Sequence, residues 1–209
     1  MNSQTFRRAA VAVTGAVLLP LALSACSDSG STTGAAAVDT APTSAQAAPA
    51  PAGGPFGPGC AAVPKSGAGS FDGMAKDPVA TAASHNPDLS TLVAAVKQAG
   101  LVDTLNNAQN ITVFAPTNAA FAKIPKADLA KVLADKAKLT DILTYHVVGQ
   151  RLTPQQLESG KFETLEKGVL TTSGSGENYT VDGSSKVVCG DVPTANATVY
   201  IVDTVLMPK

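Results

Sequence analysis

Thr112-Val113-Phe114-Ala115-Pro116-Thr117-Asn118-Ala119-Ala120-Phe121 decides how this chain folds. The run Ile111 to Ala115 is β-branched and aromatic, which suits a buried, pleated strand, and Pro116 halts it. Thr117 or Asn118 then caps a short helix through Ala119, Ala120 and Phe121 by accepting from its orphan N–H groups. Towards the N-terminus, Leu89, Leu92, Val93 and Val96 follow the i, i+3, i+4, i+7 stripe of an amphipathic helix. Gly100 stands where a left-handed C-terminal cap belongs. Asp77-Pro78 is expected to open a shorter helix by side-chain capping, and Asn86-Pro87 to stop it. Towards the C-terminus, Leu129, Val132, Leu133, Leu139, Ile142 and Leu143 mark one or two helices with Lys and Asp on the outer face.

A strand is expected from about Tyr145 and a helix from Thr153-Pro154. The pattern then turns to strand: Phe162–Leu165, Val169–Thr172, Tyr179–Val181, Lys186–Val188 and Val199–Leu206, with Gly174, Gly176 and Asp182-Gly183 in the turns between. Helices cluster early and strands late, which indicates an α+β domain rather than a wound parallel sheet. In the last strand, period 2 puts Val199, Ile201, Asp203 and Val205 on one face. A carboxylate there is read as an acceptor for backbone N–H groups or a hydroxyl, not as a catalytic group.

Composition divides the chain in three. Residues 1–25 read as an export signal: Arg7 and Arg8, then an uncharged apolar stretch from Ala9 to Leu23, shorter than the roughly 20 residues a membrane span needs. Leu23-Ser24-Ala25-Cys26 looks like a bacterial lipobox, in which the thiol of Cys26 receives a diacylglyceryl group and becomes the new N-terminus. The alternative is an ordinary Ala-x-Ala-type site with an incidental Cys. Acyl chains on Cys26 supply the two hydrophobic signals stable membrane anchoring requires. Residues 26–59 then form a tether of Ala, Ser, Thr, Gly and Pro that buries too little apolar area to offset its ordering entropy. As a coil it averages on the order of 30 Å, and as polyproline II it reaches roughly 100 Å. Thr40, Thr43 and Ser44 beside Pro42 are candidates for O-linked sugar.

The folded domain is assigned to residues 60–209. Cys60 and Cys189 remain as an even pair in an oxidising compartment, which favours a disulfide. Closing a loop of about 130 residues gives up to about 5 kcal/mol by chain entropy.

Charge and composition exclude several functions. The 209 residues hold 15 basic and 16 acidic side chains, and removing Arg7 and Arg8 with the signal leaves the mature protein near −3. Without a Lys/Arg run there is no electrostatic footprint for nucleic acid. Three Cys and two His make a zinc finger or a closed zinc site improbable, and no cofactor or metal is expected.

The decisive stretch resembles the first signature box of fasciclin domains. Tyr145-His146, in Ile142-Leu143-Thr144-Tyr145-His146-Val147, matches the family's central pair. Asn196-Ala197-Thr198-Val199-Tyr200-Ile201-Val202-Asp203-Thr204-Val205-Leu206-Met207-Pro208 matches its second box, so the resemblance covers residues 73–208. It implies a wedge-shaped β-sandwich with helices packed against it. With the lipobox, the chain resembles the mycobacterial surface fasciclin lipoproteins that are prominent immunogens. That implies an extracytoplasmic protein, lipid-anchored at the cell envelope, with a role in adhesion or recognition towards a host-cell receptor or an envelope glycan. It also implies sensing of an acylated Cys26 by host Toll-like receptors.

Animal fasciclin domains engage integrins through an Asp-Ile pair just upstream of Tyr-His. The resemblance therefore implies an adhesive patch of Asp141, Ile142, Tyr145 and His146. Each has a plainer reading: Ile142 belongs to a helix's core stripe, Tyr145 is a buried aromatic with a bonded hydroxyl, and His146 is a structural His with a bonded ring. Ser84, Thr144 and Asp203 around His146 are not supported as a catalytic set, since Ser173-Gly174-Ser175-Gly176 lies in a turn and matches no nucleophile elbow. No catalytic residue is assigned and no enzyme is expected. His85 sits at a helix end, where the macrodipole accounts for it. The Asn-x-Ser/Thr matches at Asn110, Asn178 and Asn196 carry little weight. The competing function is an envelope protein that binds a small apolar or glycan ligand, with modest enzymatic chemistry. A pocket with convergent polar groups beside apolar walls favours it, whereas a continuous surface patch without a cavity favours adhesion.

Overall fold

Every residue of Ile111–Pro116 is buried, and so is every residue of Ala197–Val202. In the computed structural model, which describes residues 53–208, these strands form the spine of the domain. The export signal, Cys26 and the tether as far as residue 52 lie outside the described residues. The helices are α1 (Phe71–Met74), α2 (Val79–Ser84), α3 (Ser90–Ala99), α4 (Val102–Asn107), α5 (Asn118–Ala122), α6 (Lys126–Ala134), α7 (Lys136–Tyr145) and α8 (Pro154–Leu157). The strands are β1 (Ile111–Pro116), β2 (Val147–Val148), β3 (Ser159–Glu163), β4 (Val169–Ser175), β5 (Asn178–Val181), β6 (Ser185–Pro193) and β7 (Ala197–Val202). Short 3-10 turns cover Pro58–Ala62 and Pro87–Leu89.

The sheet order is β2-β1-β7-β6-β5-β4-β3. β1 and β7 pair in parallel, with Val113 opposite Val199, and the other pairs are antiparallel. A bridge between Val148 and Thr164 draws the two ends of the sheet together, so it curls into a near-barrel. This gives β1 and β7 two buried faces, as parallel neighbours usually have. By the strand period, Ile111, Val113, Ala115, Ala197, Val199 and Ile201 face the helices and join Leu92, Val96, Leu139 and Leu143 in one core. Phe114, Tyr200 and Val202 face the interior of the curl, with Leu157, Leu170, Tyr179 and Val181. The rings of Phe114 and Tyr200 stack there at 5.7 Å. The expected α+β class and fasciclin-like arrangement are what the chain adopts.

Cys60 and Cys189 are joined in a disulfide that ties the first 3-10 turn to β6. The packed body begins before Cys60. Phe56, which composition assigns to the tether, exchanges both backbone hydrogen bonds with Gly190, at 3.1 and 2.8 Å, and its ring meets Tyr179 edge-on at 5.5 Å. A side chain at Gly190 would collide with that ring.

Local signals hold where they are backbone signals. Gly100 takes the left-handed cap with φ 77°, and Asp182-Gly183, with φ 49° and 68°, opens the three-residue turn Asp182–Ser184 between β5 and β6. Three expectations are corrected. Asp77 does not cap α2: Pro78 occupies the N-cap without a side-chain bond, and the Asp77 carboxylate lies 3.3 Å from His85 Nδ1. Tyr145 does not open a strand but closes α7, because the helical stripe through Leu139 and Leu143 continues for one more residue. β7 ends at Val202, so Asp203 lies beyond the strand, half-buried, rather than on its inner face.

Candidate functional site

The end of α7 brings together the residues that resemblance assigns to adhesion, but it does not present them alike. Asp141 is exposed and Ile142 is half-buried, whereas Tyr145 and His146 are each only 2% exposed. A helix places i and i+4 on one face, so Asp141 and Tyr145 share a column, yet at the last turn Tyr145 packs into the core inside the curl. The Tyr145 hydroxyl donates to Asp182 Oδ2 at 2.7 Å, with the Val169 carbonyl 3.1 Å away. Burial, with the Asp182 carboxylate beside it, raises the Tyr145 pKa above its ordinary value. Asp182 also accepts from the Thr171 amide at 2.9 Å, so a turn residue locks the Tyr in place.

His146 is held at both ring nitrogens. Nδ1 lies 2.7 Å from the Ile142 carbonyl, and the Leu206 amide donates to Nε2 at 3.0 Å. Only the neutral tautomer with the proton on Nδ1 satisfies both contacts. Burial lowers its pKa to about 4, against the pull of the Ile142 carbonyl and Asp182. The ring therefore has no free position for a proton transfer or a metal. The set around it is not assembled either: Ser84 Oγ donates to Thr81 O, and Thr144 Oγ1 to Thr140 O. Asp203 accepts from the Lys186 amide at 2.8 Å and from Lys123 Nζ at 3.0 Å, and the first of these hydrogen bonds leads in holding its pKa down despite the opposing effect of burial. Among the described residues, no group of three or more His, Cys, Asp and Glu side chains is placed to hold a metal ion.

Two Asn residues of the signature boxes do more than a local reading shows. Thr117 caps α5, accepting from the Ala120 amide at 3.1 Å, while Asn118 turns away and caps α3 through the Thr91 amide at 2.9 Å. Asn196, 3% exposed, accepts from the Val79 amide at the start of α2. Its Nδ2 donates to the carbonyls of Leu105 and Ala108, each at 2.7 Å, at the end of α4. Asn106 adds a second cap to α2 at the Ala80 amide. The only sequence signal for these roles is an Asn heading a buried strand or following a Pro-Thr turn.

Beneath α2, α3 and α4 and against β1 and β7 lies a cavity of about 210 Å³ with mostly apolar walls. In the curl of the sheet, Asp191 is 2% exposed, at φ 54° in a bulge of β6, and neither carboxylate oxygen has a hydrogen-bond partner. Burial raises its pKa to about 6, opposed by the charge of Arg151. Asp191→Asn is expected to raise the unfolding midpoint at pH 7.5 by the equivalent of about 3 kcal/mol, because a buried charge is removed at a left-handed position that Asn tolerates. The gain should vanish at pH 4, where the carboxyl is already neutral. Urea titrations at the two pH values check it, and an equal gain at both would refute the assignment.

A curled sheet clad by helices, with box asparagines knitting the helices and an inward-locked Tyr-His pair, characterises this α+β domain. The family model for the Fasciclin domain matches residues 87–208. The chain belongs to the fasciclin family. It is 49% identical over 168 residues to the Immunogenic protein MPB70 of Mycobacterium bovis, covering 77% of this chain and 86% of that one. It is 47% identical over 176 residues to the Cell surface glycolipoprotein MPB83 of the same species, covering 80% and 79%. Protein sll1483 of Synechocystis is 40% identical over 128 residues, covering 60% and 71%. Among solved structures, a FAS1 domain pair from the insect cell adhesion molecule Fasciclin I aligns with TM-score 0.54 at 20% identity, over 65% of this chain and 52% of that chain, which establishes likeness of fold.

Proposed function

We propose that this protein is a lipid-anchored surface component of the bacterial envelope whose fasciclin domain serves adhesion or recognition and is seen as an immunogen. The observation that carries it is the 47% identity, over four-fifths of the chain, to a cell surface glycolipoprotein, in a sequence that itself reads Leu23-Ser24-Ala25-Cys26. Cys26 takes the acyl chains, and residues 27–52 hold the domain off the lipid. No helix among the described residues is long and apolar enough to cross a membrane. The wild type is expected to partition into the detergent phase and to incorporate labelled palmitate, and Cys26→Ser to do neither. An aqueous, unlabelled wild type would sink the anchor.

The adhesive surface is then the solvent side of α7 around Asp141, with Ile142 at its margin. Tyr145 and His146 shape that helix end from below rather than touch a partner. Asp141→Ala is expected to reduce binding to host cells or envelope glycan at least several-fold with the fold intact by circular dichroism. Unchanged binding by the folded variant would remove the patch.

A further inference from the structure

The curl of the sheet is fastened where β2 meets the end of β3: Val148 bridges Thr164, and the Leu165 amide donates to the Val147 carbonyl at 2.8 Å. Among the described residues, β3 itself pairs only with β4, in a register unbroken from Ser159–Ser173 to Glu163–Val169. Two bonds at its ends set the phase of that ladder. Glu158 O accepts from the Gly174 amide at 3.0 Å, and the Thr164 amide donates to Gly168 O at 2.9 Å. The even-numbered residues between them therefore bond to β4, and the backbone N–H and C=O groups of Lys161 and Glu163 point the other way. They face a seam, where a cavity of about 430 Å³ opens between Gly149 and Gln150 on one lip and Lys161, Phe162 and Glu163 on the other. Lys161 and Glu163 are exposed, while Phe162 between them turns into the core inside the curl. Leu165, 39% exposed, and Lys167 also line the seam. An open edge of this kind is a template for another strand.

We propose that the free edge of β3 docks an extended acidic peptide segment of a partner protein, which adds a strand to the sheet along the seam. Geometry selects an extended backbone. Donors and acceptors that recur every second residue, about 6.5 Å apart, are matched by the main chain of another strand. In an antiparallel fit, one peptide residue exchanges two hydrogen bonds with Lys161, and the carbonyl two residues before it accepts from the Glu163 amide. Charge selects an acidic segment. The seam carries Lys161 and Lys167 against Glu163 alone. Lys161 belongs to no ion pair among the described residues, and Lys167 meets Glu163 at 3.4 Å with both side chains largely exposed. Leu165 adds one apolar contact where the seam closes. A five-residue strand edge falls well short of the roughly 1,200 Å² that a stable dimer buries, so the occupant is a peptide rather than a second copy. The proposal does not rest on the lipid anchor or on Asp141, and each can fail alone.

The test uses the full-length, isotope-labelled chain with the capped peptide Asp-Val-Thr-Val-Asp as probe, followed by NMR amide exchange and shift titration. In the free protein the Lys161 and Glu163 amides are expected to exchange rapidly, and the Gly160 and Phe162 amides, bonded to β4, slowly. The peptide should slow Lys161 and Glu163 at least tenfold and leave Gly160 and Phe162 as they were. Lys161→Pro removes an N–H that faces the seam and spares the β4 ladder, a change edge strands tolerate, and it should abolish binding. Lys161→Glu keeps the backbone intact should the Pro variant not fold, and it should weaken the acidic peptide at least fivefold. The proposal is overturned if the two edge amides are already protected in the free chain, if the peptide leaves their exchange unchanged, or if the folded variants bind it as the wild type does. Tighter binding of Lys-Val-Thr-Val-Lys by the wild type would overturn the acidic assignment. A concentration-dependent dimer that protects the same amides would overturn the peptide in favour of a second copy.

Discussion

Asn196→Ala is expected to destabilise the domain by about 3–5 kcal/mol, among the largest effects of any single polar substitution here. The side chain satisfies the Val79 amide and the carbonyls of Leu105 and Ala108 at once, all within 2.8 Å. Truncation leaves a buried donor and two buried acceptors without partners, each costing about 1–3 kcal/mol, and an alanine methyl cannot replace any of them. The damage concerns how α2 and α4 are joined to β7, since α2 has no cap of its own. Asn196→Asp should be nearly as harmful at neutral pH: it keeps the acceptor for Val79 but turns an anionic oxygen towards two carbonyls. Asp77→Ala, by contrast, should cost at most about 0.5 kcal/mol, because Asp77 caps nothing and its contact with His85 is half-open to solvent. Urea unfolding with unchanged slope and a shifted midpoint is the measurement. If Asp77→Ala proved the more harmful of the two, the cross-chain capping scheme would be wrong.

That contrast also marks what a sequence can show. Gly100, Asp182-Gly183 and the alternation in β1 and β7 are visible because backbone conformation and strand period are local properties. Thr117 as a cap is local as well. Asn118 and Asn196 are caps for helices that lie elsewhere in the chain, and no spacing rule links Asn196 to Val79. Asp77-Pro78 has the composition of a helix start, yet tertiary packing gives the capping role to Asn196 and leaves Asp77 at the surface. Period 2 carried past Val202 puts Asp203 on an inner face, but the strand stops, and the carboxylate joins Lys123 and the Lys186 amide instead. Tyr145 through Val148 reads as a strand by β-propensity, and only Val147–Val148 pairs, because the apolar stripe of α7 competes and wins for Tyr145. The cavity beneath α2, α3 and α4 leaves no trace in the sequence: its walls are ordinary core residues.

Wild-type stability is expected to change little between pH 6.5 and pH 4, because two buried groups titrate against each other. His146 has its folded pKa lowered to about 4 from an ordinary 6.5. The unfolded chain therefore binds more protons in that interval, and stability present above pH 6.5 is lost as the pH falls through it, by about 3 kcal/mol. Asp191 runs the other way. Its folded pKa is raised to about 6 from 3.8, so the folded chain binds more protons, and the penalty carried above pH 6 is relieved as the pH falls towards 3.8. The windows overlap and the slopes oppose. Asp191→Asn removes the relief and should expose the full acid sensitivity of His146, with stability falling by about 3 kcal/mol from pH 6.5 to 4. His146→Gln is neutral throughout and keeps at most one of the two ring hydrogen bonds. It should be less stable at pH 7 by about 1–3 kcal/mol, and then gain stability as the pH falls towards 4. Asp203, whose pKa is lowered, acts only below its ordinary value of 3.8 and leaves this interval alone. Urea midpoints at half-unit pH steps for the three proteins decide the matter: parallel profiles would mean that neither buried group governs acid stability, whereas slopes of opposite sign in the two variants require that both do.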